Sequence, residues 1–373
     1  MEKYNLAIAP GKYIQGENVL YTQEKIVSDF GHRVFLIGEE FILKKFSHQL
    51  DSLLRRKTVF SELFNGECSK KEIERLLRLV EKMRAEFVVG IGGGKALDTA
   101  KAVGYHAQLP VVTIPTSAAT CAAWTALSAI YTEDGKARGY LILDRCPEVV
   151  LVDTRIMANT PVRYLVAGMA DGLAKYYETM AYTGGKASSL TVEMAIKSAQ
   201  SIYNAVFEIG LTAARDNVEK KLTPALTRIV ESNIMLAGLV GGIGGEGCRA
   251  AAIHALNNGF TQIPQTHNYL HGEIVAFCSL VQLFLEGKRK ELEKLNSIYK
   301  KLRLPRNLKD IGLESVPLSP RARSKRAGTL KRLLEKVVKY ACSPQETMSN
   351  LPQEVSEKML YNAVIEVDQL GQQ

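Results

Sequence analysis

Apolar and polar positions along this chain follow two regimes that change over near residue 160. In the first, short apolar runs of the type buried inside a parallel sheet alternate with stretches of helical periodicity. VFLI within Arg33–Ile37, FVVGI from Phe87, VVTI over Val111–Ile114 and VVLV over Val149–Val152 are such runs, and Asn5–Ala9 and Lys57–Phe60 read as further short strands. Between them, Asn18–Phe30 (closed by Gly31), 40–57, 69–85 and the stretch through Asp98 and Ala102 predict helices; in 69–85, Ile73, Leu76, Leu77, Val80 and Met83 recur at helical spacing. The segment 117–134 opens with small residues, passes into strand-like alternation and meets Glu133-Asp134-Gly135, a hairpin signal that returns through Tyr140–Leu143. Thr160-Pro161 then opens the second regime, with Pro at a first helical position. Helices are predicted at 161–183, 186–208, 223–243, 248–258, 270–287, 288–302, 325–341 and 354–368. The expected architecture is an α/β parallel-sheet domain over 1–160, followed by an all-α domain over 161–373.

Where that pattern breaks is where chemistry is expected. FVVGIGGGKALDTAK, from Phe87 to Lys101, reads as strand, glycine turn and helix start. Gly92, Gly93 and Gly94 carry no side chains, so their backbone N–H groups can approach a pyrophosphate, and the helix beginning near Lys95 adds its partial positive charge. A tight strand-to-helix turn also needs glycine for conformational reasons alone. In a parallel α/β sheet ligands sit at the carboxyl ends of strands; this turn and Pro115-Thr116-Ser117 both lie there, so two loops meet at one crevice. Glu39, just past the strand at 33–37, suits an acidic residue that accepts hydrogen bonds from an adenosine ribose and repels a 2′-phosphate, which favours NAD over NADP. It suits a helix N-terminus equally well. Ser117, Thr120, Thr125 and Ser128 offer hydroxyls for a ribose or nicotinamide amide, or for caps and turns.

Composition narrows the classes. The 373 residues exceed the usual size of one core, and 46% apolar with 23% charged residues is globular rather than disordered. The net charge of +9 fits anionic small molecules as well as nucleic acid. Its one dense cluster, Arg321–Arg332, has no interleaved aromatics and reads as a solvated helix face, so no nucleic-acid partner is expected. Six cysteines, at 68, 121, 146, 248, 278 and 342, form no C-x-x-C pair and read as reduced and buried, which points to the cytoplasm. MEKYNLAIAPGKY lacks a secretory pattern and no stretch reaches about 18 uninterrupted apolar residues, so neither secretion nor membrane insertion is expected.

Five segments, GIGGGKALDTAKA, IPTSAATCAAW, GMADGLAKYYE, HALNNGFT and YLHGEIVAFC, occur in this order. In sequence and distance they resemble the glycerol dehydrogenase branch of the iron-containing (group III) alcohol dehydrogenases, over nearly the whole chain. The resemblance implies a Rossmann-like N-terminal domain, a helical C-terminal domain in a dehydroquinate synthase-like architecture, NAD(P) in the cleft between them, one divalent metal, and a homo-oligomer, often an octamer. Candidate cofactor contacts are Glu39, Gly92, Gly93, Gly94, Lys95, Asp98, Thr116, Ser117, Thr125, Leu127 and Tyr131. The resemblance puts the metal ligands at Asp171, His254 and His271. As residues, one carboxylate and two imidazoles from three helical segments leave a coordination position open, as catalytic zinc requires; taken alone, a histidine on a helix is more often a core or surface residue than a ligand. Zinc is favoured and Fe²⁺ suits the same donors. Asn257 stands where many relatives carry a second histidine that is not itself a ligand, so the difference is expected to leave the metal site intact and to bear on substrate contacts, with His267 a nearby alternative ligand.

The implied reaction is hydride transfer between a metal-stabilised alkoxide and a nicotinamide, with no residue standing out as general base. Glycerol dehydrogenases place an aspartate in the loop that here reads Thr120-Cys121-Ala122, whereas ATCAAWT resembles the hydroxycarboxylate dehydrogenase relatives. Lys175, one helical turn after Asp171, can meet a substrate carboxylate beside the metal, or pair with Asp171 or solvent. Cys121 is a substrate contact or a small packing residue. The expectation is therefore an NAD(H)-linked, metal-dependent oxidoreductase interconverting a small 2-hydroxycarboxylate and its 2-oxoacid. Glycerol or diol oxidation is the nearest alternative. A sugar-phosphate cyclase similar to dehydroquinate synthase is the alternative of another class, and it needs basic phosphate ligands that the sequence does not offer beyond Lys175.

Overall fold

The computed structural model describes residues 6–314 and 325–372. Its strands are β1 (Lys12–Gly16), β2 (Arg33–Gly38), β3 (Thr58–Leu63), β4 (Phe87–Gly92), β5 (Val111–Pro115), the antiparallel hairpin of β6 (Leu127–Tyr131) and β7 (Ala137–Ile142), and β8 (Val149–Asp153). All but the hairpin form one parallel sheet in the order β1-β8-β5-β4-β2-β3. The central strands read as unbroken apolar runs because both faces are covered. On β2, Val34 and Leu36 face one core and Phe35 and Ile37 the other. Edge strand β3 is largely exposed.

α1 (Val19–Thr22), α2 (Glu40–Lys45), α3 (Ser47–Leu53), α4 (Lys70–Lys82) and α5 (Gly94–Ala107) flank this sheet. Leu20, Leu50 and Leu53 close the face of Val34 and Leu36, while Leu76, Val80, Ala100 and Val103 close the face of Phe35 and Ile37. Gly38 pairs with Ile91 and Gly92 with Pro115, so β2, β4 and β5 end at one rim.

Every described element after β8 is helical: α6 (Thr154–Asn159), α7 (Val162–Thr183), α8 (Leu190–Val218), α9 (Pro224–Glu231), α10 (Ala237–Arg249), α11 (Ala252–Phe260), α12 (His271–Leu285), α13 (Arg289–Leu302), α14 (Lys325–Ala341) and α15 (Glu357–Gly371), with short 3-10 turns between. A π turn, Ser232–Leu236, joins α9 to α10. The joined run Pro224–Arg249 is long and apolar enough to cross a membrane by length and composition, yet it packs against α7 and α8 and buries Ile229, Val230, Ile234 and Val240. Its apolarity belongs to a core.

Five local points differ from expectation. Residues 6–9 of the predicted first strand are not a strand, because the Ile8 N–H is spent on the Gly242 carbonyl at 2.8 Å in α10; Asn5 lies outside the described residues. The predicted helix at 18–30 is the four-residue α1 and a 3-10 turn, and that at 40–57 divides at Phe46, which leaves helical geometry and buries its ring. Helix α6 was not expected; the Asp153 carboxylate caps it by accepting from the Arg155 N–H at 3.0 Å. Pro161 precedes α7 at its N-cap rather than opening it. Within Arg321–Arg332, residues 321–324 lie outside the described residues and the rest opens α14.

The two halves meet where α7 crosses the loop after β5. Asn233 donates to the Ala118 carbonyl at 2.9 Å and to the Leu165 carbonyl at 3.0 Å, and the Thr160 hydroxyl donates to the Thr116 carbonyl at 2.8 Å. A Cβ on Gly168 would stand 1.9 Å from the Ala118 oxygen, so this crossing tolerates no side chain. Gly168→Ala is expected to cost about 1–3 kcal/mol by overpacking, read as a lowered melting temperature; an unchanged melting temperature would show that the loop yields freely.

Candidate active site

A cavity of about 1360 Å³ runs from the sheet rim into the helical half. On the sheet side it is bordered by Glu39, Gly93, Gly94, Lys95, Ser117 and the wall formed by Thr125, Leu127 and Tyr131. Gly92 (φ 148°) ends β4 and Gly93 stands at the N-cap of α5. A Cβ on Gly93 would meet nothing within 4 Å, so the turn presents bare backbone to open space, as a pyrophosphate cradle at a helix N-terminus must. The residues fit a dinucleotide on that ground. Two expected contacts are corrected: Gly92 and Thr116 do not border the cavity. They shape the turn from behind, with the Thr116 N–H donating to the Gly92 carbonyl at 3.0 Å. Glu39 is exposed at the N-cap of α2 and makes no side-chain capping bond.

The wall itself is held by a pair that the sequence reading did not single out. Asp98 is buried and lies 2.8 Å from the Lys101 ammonium, and it accepts from the Ala129 N–H at 3.1 Å. Lys101, almost fully enclosed, also donates to the Thr125 carbonyl and hydroxyl, both at 3.0 Å, and to the Leu127 carbonyl. Burial pushes the Asp98 carboxyl up, against the pull of Lys101. The Ser128 hydroxyl is interior and donates to the Asp98 carbonyl at 2.7 Å, so it is not a cavity hydroxyl, and the Thr125 hydroxyl is engaged by Lys101. Asp98 thus borders the cavity but is spent on fixing 125–129. The signal available in DTAK was the i,i+3 spacing of an acid and a base. Lys95 pairs with Glu67 at 2.6 Å and lies 4.8 Å over the Tyr131 ring.

On the helical side, α7 turns Asp171, Lys175 and Glu178 to one face at i, i+4 and i+7. Opposite lie His254 of α11 and His271, the first residue of α12. The Nε2 atoms of His254 and His271 stand 3.4 and 3.5 Å from Asp171 Oδ1, and one ligand atom from each residue falls within 4.8 Å of the others. Glu178, which sequence reasoning missed, sets this geometry. It is fully buried, lies 2.6 Å from His254 Nδ1, and accepts the N–H groups of Ala251 and His254 at 2.7 and 3.0 Å. The outer carboxylate thereby aims His254 Nε2 at Asp171, an arrangement usual behind metal-ligating histidines. Burial alone would raise the Asp171 carboxyl, but the two imidazoles and the Lys175 charge hold it well below the usual range. Its Oδ1 is nonetheless buried without a hydrogen-bond partner. An anionic oxygen lacking a donor, faced by two imidazoles, fits a divalent cation.

The remaining expectations fall as follows. Lys175 borders the cavity and is buried, but its ammonium donates to the Arg249 carbonyl at 2.9 Å and lies 3.1 Å from His254 Nε2. Cys121 borders the cavity, and burial pushes its thiol up to about 11, so it is neutral near pH 7. Asn257 is buried and does not border the cavity, which corrects its expected substrate contact; its neighbour Asn258 does. His267 stands apart from the cluster, its Nε2 2.8 Å from the Thr261 carbonyl.

A glycine turn at a parallel-sheet rim, sharing one cavity with a carboxylate–imidazole cluster, is the layout of an enzyme that uses a nucleotide and a metal. The sequence profile described as "Iron-containing alcohol dehydrogenase" matches residues 10–154. A glycerol dehydrogenase of Thermotoga maritima is 42% identical over 370 residues, 98% of this chain and 97% of that protein. Hydroxycarboxylate dehydrogenase A of Escherichia coli is 37% identical over 291 residues, 78% of this chain and 76% of that one. The crystal structure of a probable glycerol dehydrogenase from Sinorhizobium meliloti superposes with a TM-score of 0.88 at 27% identity, covering 99% of both chains. The chain belongs to the iron-containing alcohol dehydrogenase family and is a metal-dependent oxidoreductase of alcohols.

Glu178→Gln removes the charge behind His254 while keeping its shape. Metal retention against a chelator, measured by elemental analysis, is expected to weaken by about 10–100-fold; retention equal to the unsubstituted protein would show that His254 is oriented without Glu178.

Proposed function

We propose that this chain oxidises glycerol or a closely related small diol to its hydroxycarbonyl product, reversibly, with NAD⁺ as hydride acceptor. The observation that carries the reading is the single cavity in which the Gly93 turn and the Asp171–His254–His271 cluster face one another. The glycerol dehydrogenases at 42% and 36% identity over 98% of this chain support the substrate class and move it away from the 2-hydroxycarboxylate expected from the Cys121 loop alone. Asp171, His254 and His271 would hold a divalent ion, which would supply Lewis acidity at a substrate hydroxyl when bound. The nicotinamide supplies the hydride chemistry.

What the chain's own residues do follows from their placement. Gly93 and Gly94 give the pyrophosphate close access to backbone N–H groups, and the N-terminus of α5 complements its charge. Glu39 favours the ribose hydroxyls of NAD over the 2′-phosphate of NADP. The neutral Cys121 thiol is a weak hydrogen-bond partner for a polyol, and this, with the Lys175 ammonium beside the cluster, is what supports oxidation of a 2-hydroxycarboxylate as the second reading.

NADH formation from glycerol and from 2-hydroxybutyrate, assayed as purified, after chelation and after zinc or iron is restored, separates the readings. Preference for glycerol with metal-dependent recovery is the expected result. Preference for 2-hydroxybutyrate replaces it with the second reading, and activity unaffected by chelation would overturn the metal assignment. For the cofactor, Gly93→Leu should raise the Kd for NADH by more than about tenfold while leaving the melting temperature unchanged, because its Cβ enters open space; unchanged NADH binding would place the dinucleotide elsewhere.

A further inference from the structure

The cavity that Cys121 borders is also bordered by a carboxyl group that no motif pointed to. Glu346 is buried at the N-cap of the 3-10 turn Thr347–Asn350. That turn is fastened to the lead-in of α11: the Thr347 hydroxyl donates to the Ala251 carbonyl and the Asn350 amide to the Ala250 carbonyl, both at 2.8 Å. Asn258 of α11 donates to Glu346 Oε2 at 2.9 Å and lies 3.2 Å from the Tyr140 hydroxyl. Glu346 Oε1 has no partner among the described residues. Glu346, Asn258, Tyr140 and His254 all border the same cavity.

Asn258 ties this group to the helix that carries His254. Asn258 follows His254 by four residues, so it shares that ligand's helical face about 5–6 Å along between Cβ atoms. Because His254, Asn258 and Glu346 border one cavity, a small diol held through one oxygen at the Asp171–His254–His271 cluster can turn its other oxygen toward Glu346. We propose that Glu346, oriented by Asn258, binds a second hydroxyl of the substrate, the role left without a carboxylate where Cys121 stands. The inference rests on the diol reading above. Burial pushes the Glu346 carboxyl up to about 7 against the opposing effects of Asn258 and His254, so near neutral pH it can accept a hydroxyl proton or donate its own. A group of that kind serves an uncharged polyol, whereas its ionised form repels a substrate carboxylate.

The test uses metal-loaded enzyme with NAD⁺ and compares glycerol with propan-2-ol, which has no second hydroxyl. Glu346→Leu is expected to raise KM for glycerol by about tenfold or more, with kcat/KM for propan-2-ol within about twofold, and Glu346→Gln, which keeps hydrogen bonding, to raise it by about threefold. NADH affinity and metal content should match the unsubstituted protein. Equal losses on both alcohols would make Glu346 a structural residue and overturn the inference, as would unchanged glycerol KM in either variant; if Glu346→Leu does not fold, Glu346→Gln decides. Failure of the diol reading looks different: the unsubstituted enzyme is then silent on glycerol and active on 2-hydroxybutyrate. In that case a lower KM for 2-hydroxybutyrate in Glu346→Gln keeps Glu346 at the substrate, and an unchanged one removes it.

Discussion

The structure turns on the charged face of α7. Asp171, Lys175 and Glu178 are buried in a helix that is largely apolar and packs against α8, α10 and α12. Buried charges of this kind persist only where each finds partners. Glu178 finds them in His254 and in two backbone N–H groups, Lys175 in the Arg249 carbonyl and His254, while Asp171 keeps an oxygen without a donor. An acceptor with two imidazoles at 3.4 and 3.5 Å and no close hydrogen bond is what suits this face to a divalent cation, and the satisfied groups around it keep that oxygen in place.

Close backbone contact makes that face usable. Gly168 lets α7 lie against the loop carrying Cys121, and Gly272 lets α12 begin against α7, since a Cβ there would stand 2.0 Å from the Ala167 oxygen. His271, one residue earlier, is thereby delivered to Asp171. On the sheet side the Asp98–Lys101 pair does the corresponding work, tying the backbone of 125–129 to α5 and so giving the nucleotide-facing side a fixed wall. The cavity is therefore bounded by two rigid surfaces, each held by a buried ion pair or charge cluster, which suits chemistry that depends on the placement of a hydride donor and acceptor.

Substrate choice rests on weaker and more local features. Cys121 presents a neutral thiol to the cavity, yet glycerol dehydrogenases match this chain over nearly its full length. One changed side chain in a loop is a small part of a cavity whose far wall has its own polar groups, and a residue lost from one wall does not by itself define what the whole cavity accepts.

What the sequence determined by itself is whatever depends on neighbours along the chain. Apolar runs marked the central strands, the glycine turn marked the rim, and motif order marked Asp171, His254 and His271, which the structure brings within coordinating distance of one another. Only the tertiary structure decided which other groups serve them. Glu178 reaches His254 over 76 residues, Asn258 meets Glu346 over 88, and Ile8 abandons a predicted strand for a carbonyl in α10. Periodicity reports which face of an element is buried, but not what that face meets. Whether a buried polar group is a ligand, its support or a spent hydrogen-bond partner is set by contacts between segments far apart in the chain.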